Sequence, residues 1–116
     1  MKVRRSRKGM VGVRLPEGEE EWLELAMRCG FRVKAMAAVL EVGERTLRRR
    51  FRREVKERLW EWLRRTRMEV GRRWLREGTF VKEVAGRLGY GSVSAFCRAY
   101  RRRWGRSPCE ERERAR

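Results

Sequence analysis

Apolar residues recur along this chain at intervals of three and four, with charge between them, a spacing that predicts helices throughout. Trp22, Leu25, Ala26 and Cys29 mark a first helix ending near Gly30. Glu17, Glu19, Glu20 and Glu21 precede or open it, where a helix N-terminus favours negative charge. A short helix over about Lys34 to Leu40 turns Met36, Ala37 and Leu40 inward, and Val42-Gly43 makes a turn. The next helix, about Glu44 to Val55, has Leu47, Phe51 and Val55 on one side and Arg45, Arg48, Arg49 and Arg52 on the other. From Leu59 to Arg76 one long helix carries Trp62, Leu63, Met68, Trp74 and Leu75, and Gly78 stops it. At about 1.5 Å per residue it spans roughly 27 Å. A short helix over about Val81 to Leu88 leads into the turn Gly89-Tyr90-Gly91. The last clear helix starts at Ser92, a good N-cap, with Val93, Phe96, Tyr100 and Trp104 on one side. Ser94, Cys97, Arg98 and Arg101 lie on the other, and Gly105 and Pro108 end it. No useful length alternates with period two, so no strand is expected.

The pattern occurs twice. Met36-Ala37, Leu40 and Val42 return 48 residues later as Val84-Ala85, Leu88 and Tyr90. Beyond the turn the offset is 49: Leu47 to Phe96, Phe51 to Tyr100, Arg52-Arg53 to Arg101-Arg102, Val55 to Trp104. One extra residue in the second turn explains the change. Each copy is a short helix with a central Ala, a tight turn, and a longer helix ending in Arg; the small Ala lets two helices cross closely, as a helix-turn-helix requires. The expected fold is therefore all-α, about seven helices forming two helix-turn-helix subdomains joined by a long linker helix. The expected boundaries are a basic flexible arm at 1–18, a first subdomain at 19–58, the linker at 59–76, a second subdomain at 77–108, and a charged tail at 109–116.

Charge changes the picture from a plain helical bundle to a polyanion binder. The 116 residues hold 33 Lys+Arg against 16 Asp+Glu, a net charge of +17. Of the basic residues 28 are Arg, the side chain suited to bidentate recognition of phosphate and guanine, although a GC-rich coding sequence gives the same bias. Hydrophobic content of 41%, with 5 Trp and 4 Phe, argues against disorder. Both second helices set Arg opposite the apolar stripe, where a recognition helix meets the major groove. Two such helices on successive turns of one DNA face sit about 34 Å apart, a span the long helix with its flanking turns can set.

With no His, no metal-ligand cluster and no Gly-rich phosphate loop, neither an enzyme nor a cofactor is expected. The 3 Cys (Cys29, Cys97, Cys109) form neither a zinc pattern nor a disulfide framework and read as free thiols in a reducing compartment. Without an apolar export signal or a run of about 18 apolar residues, the expected location is the cytoplasm, associated with the nucleoid, with no membrane partner.

These residues resemble the AraC/XylS family of bacterial transcription regulators. The likeness runs from about Val33 to Pro108. It is densest in the second copy, at Val84-Ala85, Leu88-Gly89-Tyr90, Ser92, Phe96, Arg98, Tyr100-Arg101, Gly105 and Ser107-Pro108. The linker matches at Trp62-Leu63 and Arg67-Met68. Departures stand at Gly43 for a capping Ser, Arg50 for an apolar residue, Lys56 and Leu59 for Gly and often Pro, and Glu111 for Tyr. The resemblance implies sequence-specific binding of double-stranded DNA, with RNA polymerase as a further partner. It also implies a short, stand-alone member that binds as a monomer.

By the same resemblance, bases are read by Arg45, Arg48 and Arg49 in the first copy and by Val93, Ser94, Cys97 and Arg98 in the second. Helical-wheel geometry selects the same residues except Val93, which leans toward the apolar side. Arg49 and Arg98 are the strongest candidates, since Arg pairs bidentately with guanine. Arg52, Arg53, Arg101, Arg102 and Arg103 are expected on phosphates, positioning the protein without reading sequence. Trp62, Trp74, Trp104 and Phe51 fit a core better than base-stacking platforms. A redox role for Cys97 is the less favoured reading. The rival function is sequence-independent polyanion binding, of structured RNA or as an architectural DNA protein, with a basic amphipathic membrane binder behind it.

Overall fold

A computed structural model describes residues 14–115, so the expected basic arm lies outside the described residues except at 14–18. Among the described residues there are seven helices and no strand: α1 (Glu19–Arg28), α2 (Val33–Leu40), α3 (Glu44–Val55), α4 (Leu59–Arg76), α5 (Val81–Arg87), α6 (Val93–Trp104) and α7 (Pro108–Arg114). The architecture is two helix-turn-helix subdomains joined by the long helix α4. By contacts the chain divides into two compact units at Leu59/Trp60. None of the described helices is long and apolar enough to cross a membrane.

Unit 1 closes over Trp22, Leu25, Ala26, Phe31, Met36, Leu40, Leu47 and Phe51, all buried. Trp22 meets Phe51 edge-on, ring centroids 5.1 Å apart, and its indole N–H donates to the Glu54 carboxylate at 3.1 Å. These contacts lock α1 against α3. Glu19, Glu20 and Glu21 fill the first turn of α1, as its N-terminus favours.

In unit 2 the long helix is no bare spacer; its second half is packed against the rest of the unit. A Cβ on Gly71 would lie 3.0 Å from Leu88 Cδ1 and 3.6 Å from the Phe96 ring, so the absent side chain lets the helices approach. Arg67 Nε donates to the Leu88 carbonyl at 3.1 Å, and Trp104 donates to the Met68 carbonyl at 3.3 Å. Arg87 lies over the Trp74 ring at 3.9 Å.

The expected charged tail folds as most of α7. Pro108 had read as a terminator, but it occupies the first turn of a new helix, where its missing N–H costs nothing. Ser107 and Glu110 form a reciprocal capping box: Ser107 Oγ accepts from the Glu110 N–H at 3.1 Å, and the Glu110 carboxylate accepts from the Ser107 N–H at 2.7 Å. The next residue, Glu111, is 1% exposed. The Tyr100 hydroxyl donates to it at 2.8 Å, Arg76 Nε at 3.0 Å and Arg106 Nη1 at 3.2 Å, and Arg72 stands 3.6 Å away. Burial alone would push this carboxyl up; the Tyr100, Arg76 and Arg106 hydrogen bonds outweigh it and hold the group at about 2.

The two copies differ in how their turns are made. Glu41 (φ 57) and Lys56 (φ 69) end α2 and α3 in the left-handed region. At the repeat offsets of 48 and 49 their counterparts are Gly89 (φ 88) and Gly105 (φ 77). A side chain in that region costs roughly 1–2 kcal/mol, against roughly 0.5–1 kcal/mol of extra unfolded-chain freedom for Gly. Lys56→Gly should therefore stabilise unit 1 by up to about 1 kcal/mol, and Gly105→Lys should destabilise unit 2 by a similar amount. Nothing crowds a Cβ at Gly105, so the backbone alone sets that cost. Amide exchange resolves the two units; opposite signs for the two substitutions are expected, with α6 better protected than α3 in the parent. Equal protection, or a destabilising Lys56→Gly, contradicts the account.

Candidate nucleic-acid interface

Each copy fixes the rotation of its second helix by burying one side of it. In unit 2, Phe96 and Tyr100 are buried, and Tyr90, Phe96, Tyr100 and Trp104 follow one another at centroid distances of 5.4, 5.7 and 6.4 Å. Ser92 caps α6, its Oγ accepting from the Ala95 N–H at 3.1 Å. With that stripe inward, Val93, Ser94, Cys97, Arg98, Arg101 and Arg102 line one shallow concavity on the opposite side. Four expected base readers and two expected phosphate contacts are thus brought together. Val93 had appeared to lean toward the apolar side, yet it is 39% exposed on this surface. Arg103 stands apart from the concavity, its guanidinium over the Trp104 ring at 4.1 Å.

In unit 1, Leu47 and Phe51 are buried and hold α3 in the corresponding way. Arg45, Arg48, Arg49, Arg52 and Arg53 are all exposed along its outer side. Gly43 supplies no side-chain cap. Arg50, the departure noted above, is half-buried at the rim of a cavity of about 390 Å³ that Trp22, Leu40 and Leu47 also line. One neighbour on this surface escaped the sequence reading: Glu44, whose carboxylate accepts from Arg48 Nη2 at 3.4 Å. The repeat contained the signal, because an offset of 49 sets Glu44 against Val93.

The chemistry of this surface is that of fixed positive charge and hydrogen-bond donors. Guanidinium stays protonated at any physiological pH and presents its donors in a planar fork. Burial pushes the Cys97 thiol up, and nearby Cys109 adds to this against the opposing Arg101 charge, which disfavours the reactive thiolate. No His/Cys/Asp/Glu cluster able to hold a metal ion occurs among the described residues.

The family described as a helix-turn-helix domain matches residues 36–114. The DNA-binding domain of AdpA, a global transcriptional factor solved in complex with a target DNA, is 31% identical. That likeness covers 84% of this chain and 92% of that one, with a TM-score of 0.63. The transcriptional regulator CdpR from Pseudomonas aeruginosa is 35% identical over 80% of this chain, with a TM-score of 0.57; the match spans 30% of that longer chain. An AraC-type regulator from Chromobacterium violaceum, at 20% identity and a TM-score of 0.58, shares the fold over 80% of this chain and 87% of its own. Among curated proteins, none matches the chain in sequence. On the matched family model, the inward stripe repeated in each unit and the identity to the AdpA domain, this chain belongs to the AraC/XylS family of helix-turn-helix proteins.

Proposed function

We propose that this protein regulates transcription by binding double-stranded DNA sequence-specifically, setting α3 and α6 into adjacent major grooves. The observation that carries the reading is the duplicated surface: in each unit an aromatic-anchored stripe turns inward and a row containing exposed Arg turns out. The AdpA domain, alike over most of its length, was solved on a target DNA, which supports the same partner here. Arg45, Arg48 and Arg49 read bases in one half-site, and Val93, Ser94, Cys97 and Arg98 read them in the other. Arg52, Arg53, Arg101 and Arg102 take phosphates, as does Arg103 from its place over Trp104. The two readers differ in sequence, so the site is asymmetric and one chain suffices to fill it. RNA polymerase is the further partner, and the cytoplasmic nucleoid the location, that such a role calls for.

Selection of bound sequences from a random duplex pool tests this. A preferred, non-palindromic site of about 20 base pairs is expected, holding one protein per duplex. Arg98→Ala should relax base preference in one half and Arg49→Ala in the other, each by roughly 1–3 kcal/mol, while Arg102→Ala weakens all sequences alike. Uniform losses for Arg98→Ala and Arg102→Ala on matched and mismatched duplexes would defeat the role assignment. No preferred duplex at all would return the rival, sequence-independent reading.

A further inference from the structure

A carboxylate stands beside the arginine row of α3. Glu44 is the first residue of α3, half-exposed, one turn before Arg48 and beside Arg45. Phosphate repels it, so on a surface that merely held polyanions it would weaken binding. Its 3.4 Å contact to Arg48 leaves an acceptor and a donor side by side at the helix N-terminus, the end from which recognition helices reach base edges. The repeat gives the same placement independently. The offset that aligns Leu47 with Phe96 and Phe51 with Tyr100 aligns Glu44 with Val93, which opens α6 and lines its outward concavity.

We propose that Glu44 is a specificity-determining residue that reads cytosine in the major groove, with Arg48 held beside it for guanine; this rests on the DNA-binding function proposed above. The selectivity follows from hydrogen-bond polarity. An ionised carboxylate only accepts, and the cytosine edge offers the N4 amino donor. Guanine presents O6 and N7, and thymine presents O4, all acceptors that the carboxylate repels. Adenine offers its N6 amino group beside an opposing N7 acceptor, leaving cytosine the best match. Arg48 supplies the complementary fork for guanine O6 and N7, and its charge tempers repulsion between Glu44 and the phosphates. At the equivalent place in unit 2, Val93 has no polar group and suits the thymine methyl.

The test repeats duplex selection with the full chain and with Glu44→Val, Glu44→Gln and Arg49→Ala. The parent should select cytosine at one position of the unit 1 half-site. Glu44→Val should lower that discrimination roughly 5–150-fold, the span of about 1–3 kcal/mol at about 1.36 kcal/mol per decade, and move the choice toward thymine. Preferences in the other half-site should stay as they were, and affinity for unrelated duplex should rise. Val already begins α6, so α3 is expected to form, and circular dichroism checks it. Glu44→Gln keeps the shape and should move the choice toward adenine, which a carboxamide pairs with bidentately. If both Glu44 variants select the parent's bases while Arg49→Ala relaxes its half-site, this proposal fails and the DNA-reading function stands. If the parent selects no sequence, both fail.

Discussion

Raising the salt from about 50 to about 200 mM should weaken binding to duplex DNA by roughly 10³–10⁵-fold. The cause is counterion release: each phosphate neutralised by a guanidinium frees condensed cations, and added salt opposes their escape. A net charge of +17 and the exposed Arg side chains of α3 and α6 make six to ten phosphate contacts a reasonable number. The slope of log affinity against log salt is then about −5 to −9. Arg102→Ala should reduce that slope by about one, and Arg98→Ala should act mainly on sequence preference. A slope shallower than about −2 in a titration by fluorescence anisotropy rules out docking of both helices.

Glu111→Gln should destabilise unit 2 by about 3 kcal/mol, the low end for breaking a buried ion pair, because the freed guanidiniums of Arg72, Arg76 and Arg106 can still reach water. The substitution keeps the shape of the side chain, so the loss reports charge. Acid should act the same way. The folded carboxyl sits at about 2, below its ordinary 4.5. Its contribution is complete above the ordinary value and disappears as pH falls through the folded one, between about pH 5 and 2. The Tyr100 hydroxyl, pushed up first by burial and then by its bond to Glu111, stays protonated as a donor throughout that window. Parent and Glu111→Gln should therefore converge in stability toward pH 2. A constant gap in urea midpoints of unit 2 between pH 7 and pH 2.5 would show that the carboxylate's charge does nothing.

Most of the helix plan was legible because burial in this chain follows strict three-and-four spacing. The Phe96–Tyr100–Trp104 and Leu47–Phe51 stripes fixed which side of each helix turned outward. The described exposures of Arg45, Arg48, Arg49, Ser94 and Arg98 agree with it, while Val93 is exposed although the wheel set it toward the stripe. Three features hid for physical reasons. Glu111 reads as solvated charge in any periodicity analysis, since its burial depends on Arg76, thirty-five residues away, and on Tyr100. The Ser107-Pro108-Cys109-Glu110 capping signature is present in the sequence, but Pro punctuates helix starts and ends alike, so Pro108 reads equally as a stop. Glu44 does not stand out in the sequence, because first-turn acidic residues have an ordinary explanation in the helix dipole. Glu83 pairs with Arg87 in the same i,i+4 way, so what sets Glu44 apart is its place beside the arginine row and its repeat partner Val93.

Separate cores have an evolutionary consequence. In a symmetric dimer any substitution in the reader is copied, so one mutation must satisfy two half-sites at once and its penalty is counted twice. Here α3 is anchored by Trp22, Phe51 and Glu54, and α6 by residues of its own unit, so each reader can drift without dragging the other. Changes at well-separated sites add nearly independently. On the one-chain docking proposed above, a one-base change in an operator can be answered by a one-residue change in a single helix, while the intact half keeps the protein on its promoter during the transition. A repeat diverged within one polypeptide would, with that docking, make a regulator whose binding sites can be rewired one half at a time.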